Sequence, residues 1–123
     1  MSAGEPDAAG PGADGPVAGE PGAPQVLDVA EWSRFEIHSG GRLAGFAQYR
    51  TGPGTITFTH TEIHDGFAGQ GLGGVLVRAA LDAARRRGLA VHPACPFVRG
   101  WIARHPGYAD LVPAAERERY GLT

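Results

Sequence analysis

The sequence has no lysine, a single cysteine and no apolar run long enough to cross a bilayer. The lone Cys95 excludes an internal disulfide and is typical of a reducing compartment. A membrane-spanning helix needs about 20 consecutive apolar residues, so we expect none here. The N-terminus also lacks the basic region and the apolar core of a secretory signal. We therefore predict a soluble, cytoplasmic protein with no membrane partner.

Basic and aromatic side chains are missing from residues 1–25, which contain six Gly, five Pro and four acidic residues. Such a segment cannot bury enough apolar surface to offset the entropy that it would lose on ordering. We predict a disordered Gly/Pro/Ala-rich acidic tail at 1–25 and one minimal domain at 26–123. This domain has eleven arginines and nine acidic residues, a balance that does not favour a nucleic acid partner.

The domain begins with strand-like patterns and continues with a helical one. Threonine occupies every second position of 55–61, which is typical of a strand because side chains alternate between its two faces. Leu72, Val75 and Leu76 recur at helical spacing. The predicted elements are strands at 34–38, 42–49 and 55–63, a helix at 72–87, a strand at 89–92 and a helix at 97–105. This order predicts an α+β fold, in which an antiparallel meander runs into one β-α-β crossover.

Four glycines, at 69, 71, 73 and 74, lie between the last strand of the meander and the long helix. Glycine lets the backbone approach a ligand closely, because no Cβ stands in the way. The helix that follows adds unpaired N–H groups and the positive end of its dipole. The run therefore predicts an anion site, most naturally for a phosphate or pyrophosphate.

Two nucleotide-binding motifs fit this run poorly. Its G-x-G-x-x-G spacing is that of dinucleotide-binding folds, but the acidic residue expected about 20 positions later is missing from residues 90–94. A P-loop ends in Gly-Lys-Ser/Thr, and the run has no such ending.

The segment Ala68-Gly69-Gln70-Gly71-Leu72-Gly73 resembles motif A of the GNAT superfamily of acetyl-CoA-dependent N-acetyltransferases, written Q/R-x-x-G-x-G/A. Ala68 stands where that motif has Gln or Arg. The resemblance runs from Arg34 to Val112 and extends to a subfamily of very small GNAT proteins. The blocks that carry this second resemblance are His60-Thr61-Glu62-Ile63, Cys95-Pro96-Phe97-Val98 and His105-Pro106-Gly107-Tyr108.

The resemblance implies a GNAT-like fold in which the parallel strands at 55–63 and 89–92 splay apart. The pantetheine arm of acetyl-CoA would lie between them, and the glycine loop would hold the pyrophosphate. Since no Lys or Arg occurs between Thr51 and Val77, the loop would attract this anion mainly through backbone dipoles. The cofactor-binding residues so implied are Ile63, His64, Gly69, Gln70, Gly71, Leu72, Gly73, Gly74, Cys95, Phe97 and Trp101.

The implied reaction is attack of a neutral amine on the thioester, which needs a base, an oxyanion donor and a proton donor for the CoA thiolate. Cys95 resembles a proposed acetyl-carrying nucleophile, or it is a buried small hydrophobic residue. Glu62 is a general base or an ordinary strand-end carboxylate. His105 is a possible base or a helix-end histidine, and Tyr108 is a possible proton donor.

We therefore expect an acetyl-CoA-binding N-acetyltransferase whose amine acceptor is unidentified; the alternative is a CoA-binding or interaction module with little or no catalysis. A domain of this size has no room for the extra helices that form the acceptor pocket of larger members. The acceptor site would be open, completed by a partner chain as in a homodimer, or absent. His60 and His64 are about 13 Å apart on a strand, too far to share one ion, so we predict no metal site.

Overall fold

The structure is a computed structural model that describes residues 23–122. Most of the predicted tail at 1–25 lies outside the described residues, and Gln25 already belongs to the first strand. Within residues 23–122, no helix is both long and apolar enough to cross a membrane.

Five strands form one sheet, with helices after the fourth and fifth. The strands are β1 (Gln25–Val29), β2 (Arg34–Ser39), β3 (Arg42–Gly52), β4 (Thr55–Ile63) and β5 (Ala90–Pro93). The helices are α1 (Leu72–Arg86), α2 (Pro96–Arg104) and α3 (Ala114–Arg117), with single 3-10 turns at Ala30–Trp32, Asp65–Phe67 and Pro106–Leu111. The strand order is β1-β2-β3-β4-β5, antiparallel as far as β4, while β4 and β5 are parallel.

This topology confirms the predicted α+β class, the meander and the crossover through α1. Strand β1 was not predicted; it is a short edge strand whose central Leu27 is half exposed. A five-residue edge strand has almost no buried face, so the alternation that reveals other strands is weak there.

Helix α1 packs across one face of the sheet and touches all five strands. Its fully buried positions recur at helical spacing and meet the aromatic side chains of Phe35, Tyr49 and Phe58 in one core. The ring centroids of Phe35 and Tyr49 are 5.3 Å apart. The buried residues of the helix are Leu72, Gly73, Leu76, Val77, Ala80, Leu81 and Ala84. We call this side of the sheet the helix face.

A β-bulge at Thr59 reverses the alternation of side chains along β4. Tyr49 pairs with Phe58 but its neighbour Gln48 pairs with His60, so Thr59 has no partner on β3. Because paired residues share a face, Phe58 lies on the helix face and His60 on the opposite one. The strict period-two pattern of the sequence therefore holds only as far as Phe58. The opposite face, here called the second face, carries Arg34, Glu36, Phe46, Gln48, His60 and Glu62.

The parallel pairing of β4 with β5 covers only Thr55–Phe58, which faces Ala90–Pro93. One further hydrogen bond runs from the Cys95 N–H to the Phe58 carbonyl, at 2.9 Å, and α2 begins at Pro96. Residues 59–63 of β4 continue without a strand on that side. Strand β5 is paired along its whole length and ends at Pro93, so the second half of β4 extends past the end of β5.

Candidate functional site

The loop between β4 and α1 has the backbone conformation that only glycine adopts easily. Gly69 and Gly71 have φ angles of 81° and 74°, in the left-handed region. Nothing lies within 4 Å of the position where a Cβ would project from either residue. Gly71 is the N-cap of α1. The glycines here are therefore required by the turn itself, and the turn leaves open space beside the backbone.

The first N–H groups of α1 and of its N-cap are available to an acceptor. Within the described part of the chain, the N–H groups of residues 71–74 have no hydrogen-bond partner in the protein, and the ladder of the helix begins with Val75. The first N–H groups of a helix have no partner inside it, and they carry the positive end of the dipole. A phosphate oxygen is the natural acceptor for such a set.

Gly73 has a different purpose, which is close packing of α1 against α2. A Cβ on Gly73 would lie 2.6 Å from Cζ of Phe97, too close for a side chain, whereas one on Gly74 would make an ordinary contact, 3.5 Å from Nε1 of Trp101. Leu72 between the two halves is 5% exposed and belongs to the core. Phe97 itself is 42% exposed, so its ring covers Gly73 while one side remains open to solvent.

Cys95 and Thr61 face each other where β4 extends past the end of β5. Cys95 is 3% exposed and is the N-cap of α2. Its Sγ lies 3.4 Å from Oγ1 of Thr61, to which it donates a hydrogen bond. Thr61 pairs with Ala47 on the helix face of the sheet. The cysteine is therefore buried and also directed at the unpaired half of β4, so the two interpretations of Cys95 are compatible in this structure.

Glu62 lies on the second face, in an exposed position. Its Oε1 is 3.3 Å from Nε2 of His60, and the two side chains are 51% and 55% exposed. The ring of Phe46 lies beside both neighbouring histidines, with centroid distances of 6.0 Å to His60 and 6.3 Å to His64. A carboxylate with one histidine partner and open solvent around it can accept a proton from an approaching amine.

A second carboxylate on this face, Glu36, is held in a very different way. It is 6% exposed and accepts hydrogen bonds from Arg34, with Nε at 2.8 Å, and pairs with Nε2 of His38 at 2.9 Å. The hydrogen bond from His38 and the charge and hydrogen bond of Arg34 lower the pKa of Glu36, although burial opposes them. Glu36 is therefore an ionised structural group, whereas Glu62 is accessible.

His105 and Tyr108 lie away from Cys95, beyond the other end of α2. The nine residues of that helix separate its ends by about 13 Å. His105 stacks on the ring of Trp101 at 3.8 Å, and its Nδ1 is 2.7 Å from the Trp101 carbonyl oxygen. Trp101 is 4% exposed, so it is a core residue of the α1–α2 contact. The structure does not bring His105 to the place where β4 extends past β5.

Tyr108 is part of a polar cluster with α1. Its hydroxyl donates to Oδ1 of Asp82 at 2.9 Å and accepts from Arg78 at 3.3 Å. Burial, and then the hydrogen bond to the Asp82 carboxylate, raise the pKa of Tyr108. The phenol is thus committed to neighbours on the flank of α1, and these contacts join the Pro106–Leu111 turn to the helix.

Two residues beside the predicted site were missed from the sequence. Thr61 belongs to the run of alternating threonines that predicts the strand, so this pattern offered no reason to single it out from its neighbours His60 and Glu62. Arg42 is distant in sequence, yet its guanidinium lies 5.0 Å from the ring centroid of Phe67, just before the glycine loop. No local pattern could have indicated the second contact, because it depends on how β3 extends past the end of β4.

The comparison with known proteins agrees with this geometry. A family model described as GCN5-related N-acetyl-transferase matches residues 34–111, which run from β2 to the turn after α2. The match covers more than half of the chain and includes the glycine loop, Cys95 and both main helices. The chain belongs to the GCN5-related N-acetyltransferase family.

Protein NATD1 of Xenopus tropicalis is similar to part of this chain. The two chains are 31% identical over 55 residues, which cover 45% of this chain and 50% of that protein. The chain thus matches about half the length of this curated relative. The similarity supports the family and does not identify a substrate.

Proposed function

We propose that this protein is an N-acetyltransferase that binds acetyl-CoA and transfers its acetyl group to an amine. The observation that supports the proposal is the glycine loop, whose N–H groups at residues 71–74 have no partner among the described residues and follow the end of β4, where that strand extends past β5. An anion site beside an unpaired strand suits a cofactor that has a pyrophosphate at one end and an amide-containing arm at the other.

In this proposal, the pyrophosphate binds the loop and the arm runs along the unpaired half of β4. Ile63 and His64 would line its path, and the exposed ring of Phe97 would cover it at Gly73. Trp101 would act indirectly: it would support the site by packing α2 against Gly74 of α1. The thioester would then lie near Thr61 and Cys95, where β4 extends past β5.

In the simplest route, the amine attacks the thioester of acetyl-CoA directly. A C–N bond forms at the acetyl carbonyl carbon, the C–S bond breaks, and CoA leaves as a thiolate that takes up a proton. The amine loses one proton, for which Glu62 is the proposed acceptor, with His60 as its partner at 3.3 Å. His105 and Tyr108 have other partners, so the proposal gives them a structural role.

A covalent route through Cys95 uses the same groups in two steps. The Sγ would attack the thioester to form acetyl-Cys95, and the proton of the thiol would pass to the departing CoA thiolate. The amine would then attack this acetyl group, the C–S bond to Cys95 would break, and the proton lost by the amine would return to Sγ. The thiol donates a hydrogen bond to Thr61, so it must be deprotonated before the first attack. Direct transfer needs no such step.

The test is turnover of acetyl-CoA by purified protein with a panel of amines, peptides and polyamines. Release of free CoA that depends on an acceptor supports the proposal. Tight binding of acetyl-CoA without turnover would instead identify a CoA-binding module, and a failure to bind acetyl-CoA would contradict both.

Two variants separate the chemical routes in that assay. Loss of turnover in Cys95→Ala, together with an acetylated Cys95 detected by mass spectrometry after mixing wild-type protein with acetyl-CoA alone, identifies the covalent route. Retained turnover in Cys95→Ala and reduced turnover in Glu62→Gln identify direct attack.

A further inference from the structure

We propose that Arg42 supplies the positive charge for the phosphate groups of CoA, and that it does so from the turn between β2 and β3. The inference rests on the proposed function. It assigns to the anion site a residue that is 27 positions before Gly69 in the sequence.

The glycine loop has no cation of its own. No Lys or Arg occurs between Thr51 and Val77, and Ala68 occupies the position before the first glycine of the loop. The charged residue of the turn is Asp65, whose carboxylate repels an anion. Backbone dipoles therefore work against a negative charge, and a doubly or triply charged ligand would bind more strongly with a guanidinium nearby.

The path of β3 brings Arg42 next to Phe67, in the segment that leads into the glycine loop. Strand β4 ends at Ile63, opposite Gly45, while β3 begins three residues earlier, at Arg42. The Ala44 carbonyl accepts a hydrogen bond from the His64 N–H at 2.8 Å, so β3 continues beside the chain that leaves β4. The Arg42 guanidinium then lies 5.0 Å from the ring centroid of Phe67, two positions before Gly69.

The donors of Arg42 are uncommitted in the described part of the chain. Arg34 is paired with Glu36, Arg85 with Asp110 and Arg87 with Asp28. Arg42 has an exposed side chain whose one recorded contact among residues 23–122 is the ring of Phe67, and it makes no ion pair with Asp65 there. A cation–π contact positions a guanidinium without using its N–H groups, so they remain available to phosphate oxygens.

The experiment compares Arg42→Gln with Arg50→Gln by calorimetric titration with acetyl-CoA. Arg50 is an exposed arginine on the same strand, paired with Thr57 at the opposite end of β4. We expect about tenfold weaker binding for Arg42→Gln, the size of one charge-assisted hydrogen bond, and no change for Arg50→Gln. Arg42→Lys should recover part of the affinity, because it keeps the charge and loses the planar fork.

A second titration with 3′-dephospho-acetyl-CoA identifies the phosphate. If Arg42→Gln weakens binding of both cofactors equally, Arg42 contacts the pyrophosphate; if it weakens only acetyl-CoA, Arg42 contacts the 3′-phosphate. Equal affinities of wild type and Arg42→Gln, with both proteins folded by circular dichroism, would overturn the inference alone. Absence of binding by the wild type would overturn the proposed function as well.

Discussion

The two halves of strand β4 differ in what their residues do. Residues 55–58 have strands on both sides, and Ile56 and Phe58 are at most 1% exposed. Residues 59–63 have β3 on one side only, and His60 and Glu62 are more than half exposed in their side chains. One strand thus contributes its first half to the core and its second half to the candidate site.

The bulge at Thr59 is the point where this change occurs. It moves His60 and Glu62 from the helix face to the second face and leaves Thr61 directed at Cys95. A bulge bends the strand and increases its local twist, and this one comes directly after the last residue that pairs with β5. The difference between the halves shows that one unpaired residue is enough to separate the buried half of the strand from the half that carries the candidate site.

The largest effect should come from the paired half. Phe58→Ala removes a buried ring that packs on Phe35 and Tyr49, and we expect a loss of about 3–5 kcal/mol in the free energy of unfolding. Urea denaturation measures it. Thr57→Ala, in the same half but on the second face, should cost less than about 1 kcal/mol. Similar losses in the two variants would contradict the division between the faces.

Glu36 and Glu62, the two carboxylates of the second face, should affect the free energy of unfolding differently when each is replaced by glutamine. Because the folded-state pKa of Glu36 lies below its ordinary value of 4.5, its ionised form stabilises the fold above that pH. This contribution is lost as the pH falls through the lowered pKa. Glu36→Gln should therefore be about 1–3 kcal/mol less stable at pH 7 and should lose less stability on acidification.

The matched substitution Glu62→Gln should leave the free energy of unfolding nearly unchanged, because this side chain is exposed, and it should reduce turnover of acetyl-CoA. Unfolding curves between pH 7 and pH 3, recorded for both variants and the wild type, make the comparison. A wild-type acid transition that persists with the same slope in Glu36→Gln would show that another group causes it.

Two glycines at opposite ends of the sheet offer a sharper contrast. Gly71→Ala and Gly54→Ala place an alanine at φ angles of 74° and 68°, with no neighbour within 4 Å, so each should cost about 1–2 kcal/mol. Gly54 lies in the β3–β4 turn, beside the paired half. We expect Gly71→Ala alone to weaken acetyl-CoA binding, by about tenfold, in calorimetric titration. Equal affinities would place the anion elsewhere.

The smallest effect on stability should come from Thr61→Val in the unpaired half. The substitution keeps the shape and removes the hydroxyl that accepts the Cys95 hydrogen bond. A single hydrogen bond contributes about 1 kcal/mol, and a thiol donor is weaker, so the change in unfolding free energy should be below that. Turnover should change more than stability if Cys95 takes part in the reaction. An unfolding loss comparable with that of Phe58→Ala would assign Thr61 to the core.

Much of this architecture could be predicted from local patterns. The strands at 34–38, 42–49 and 55–63 and the helix from Leu72 follow from periodicity and glycine placement, because these signals act between near neighbours. Strand β1 and the short turns after α2 were not predicted. They have few buried residues, so their sequences show little alternation.

The candidate site was only partly accessible to the same reasoning. The glycine loop and Cys95 could be named as candidate site residues, because their residue types alone indicate their chemistry. The different reasons for Gly71 and Gly73 could not be predicted, because the sequence shows only a glycine at each position. The structure shows that Gly71 has a positive φ angle and that a Cβ on Gly73 would lie 2.6 Å from the ring of Phe97. The separation of His105 from Cys95 could have been predicted, because a helix of nine residues places its two ends about 13 Å apart.

The sequence by itself determined the order of the elements, the position of the anion loop and the family to which the resemblance pointed, because each depends on residues adjacent along the chain. The tertiary structure decided which side chains meet: Thr61 with Cys95, Phe97 with Gly73, and Arg42 with Phe67. These pairs are separated by 34, 24 and 25 positions. Their contact follows from strand register, one bulge and the packing of two helices, and no local pattern encodes these.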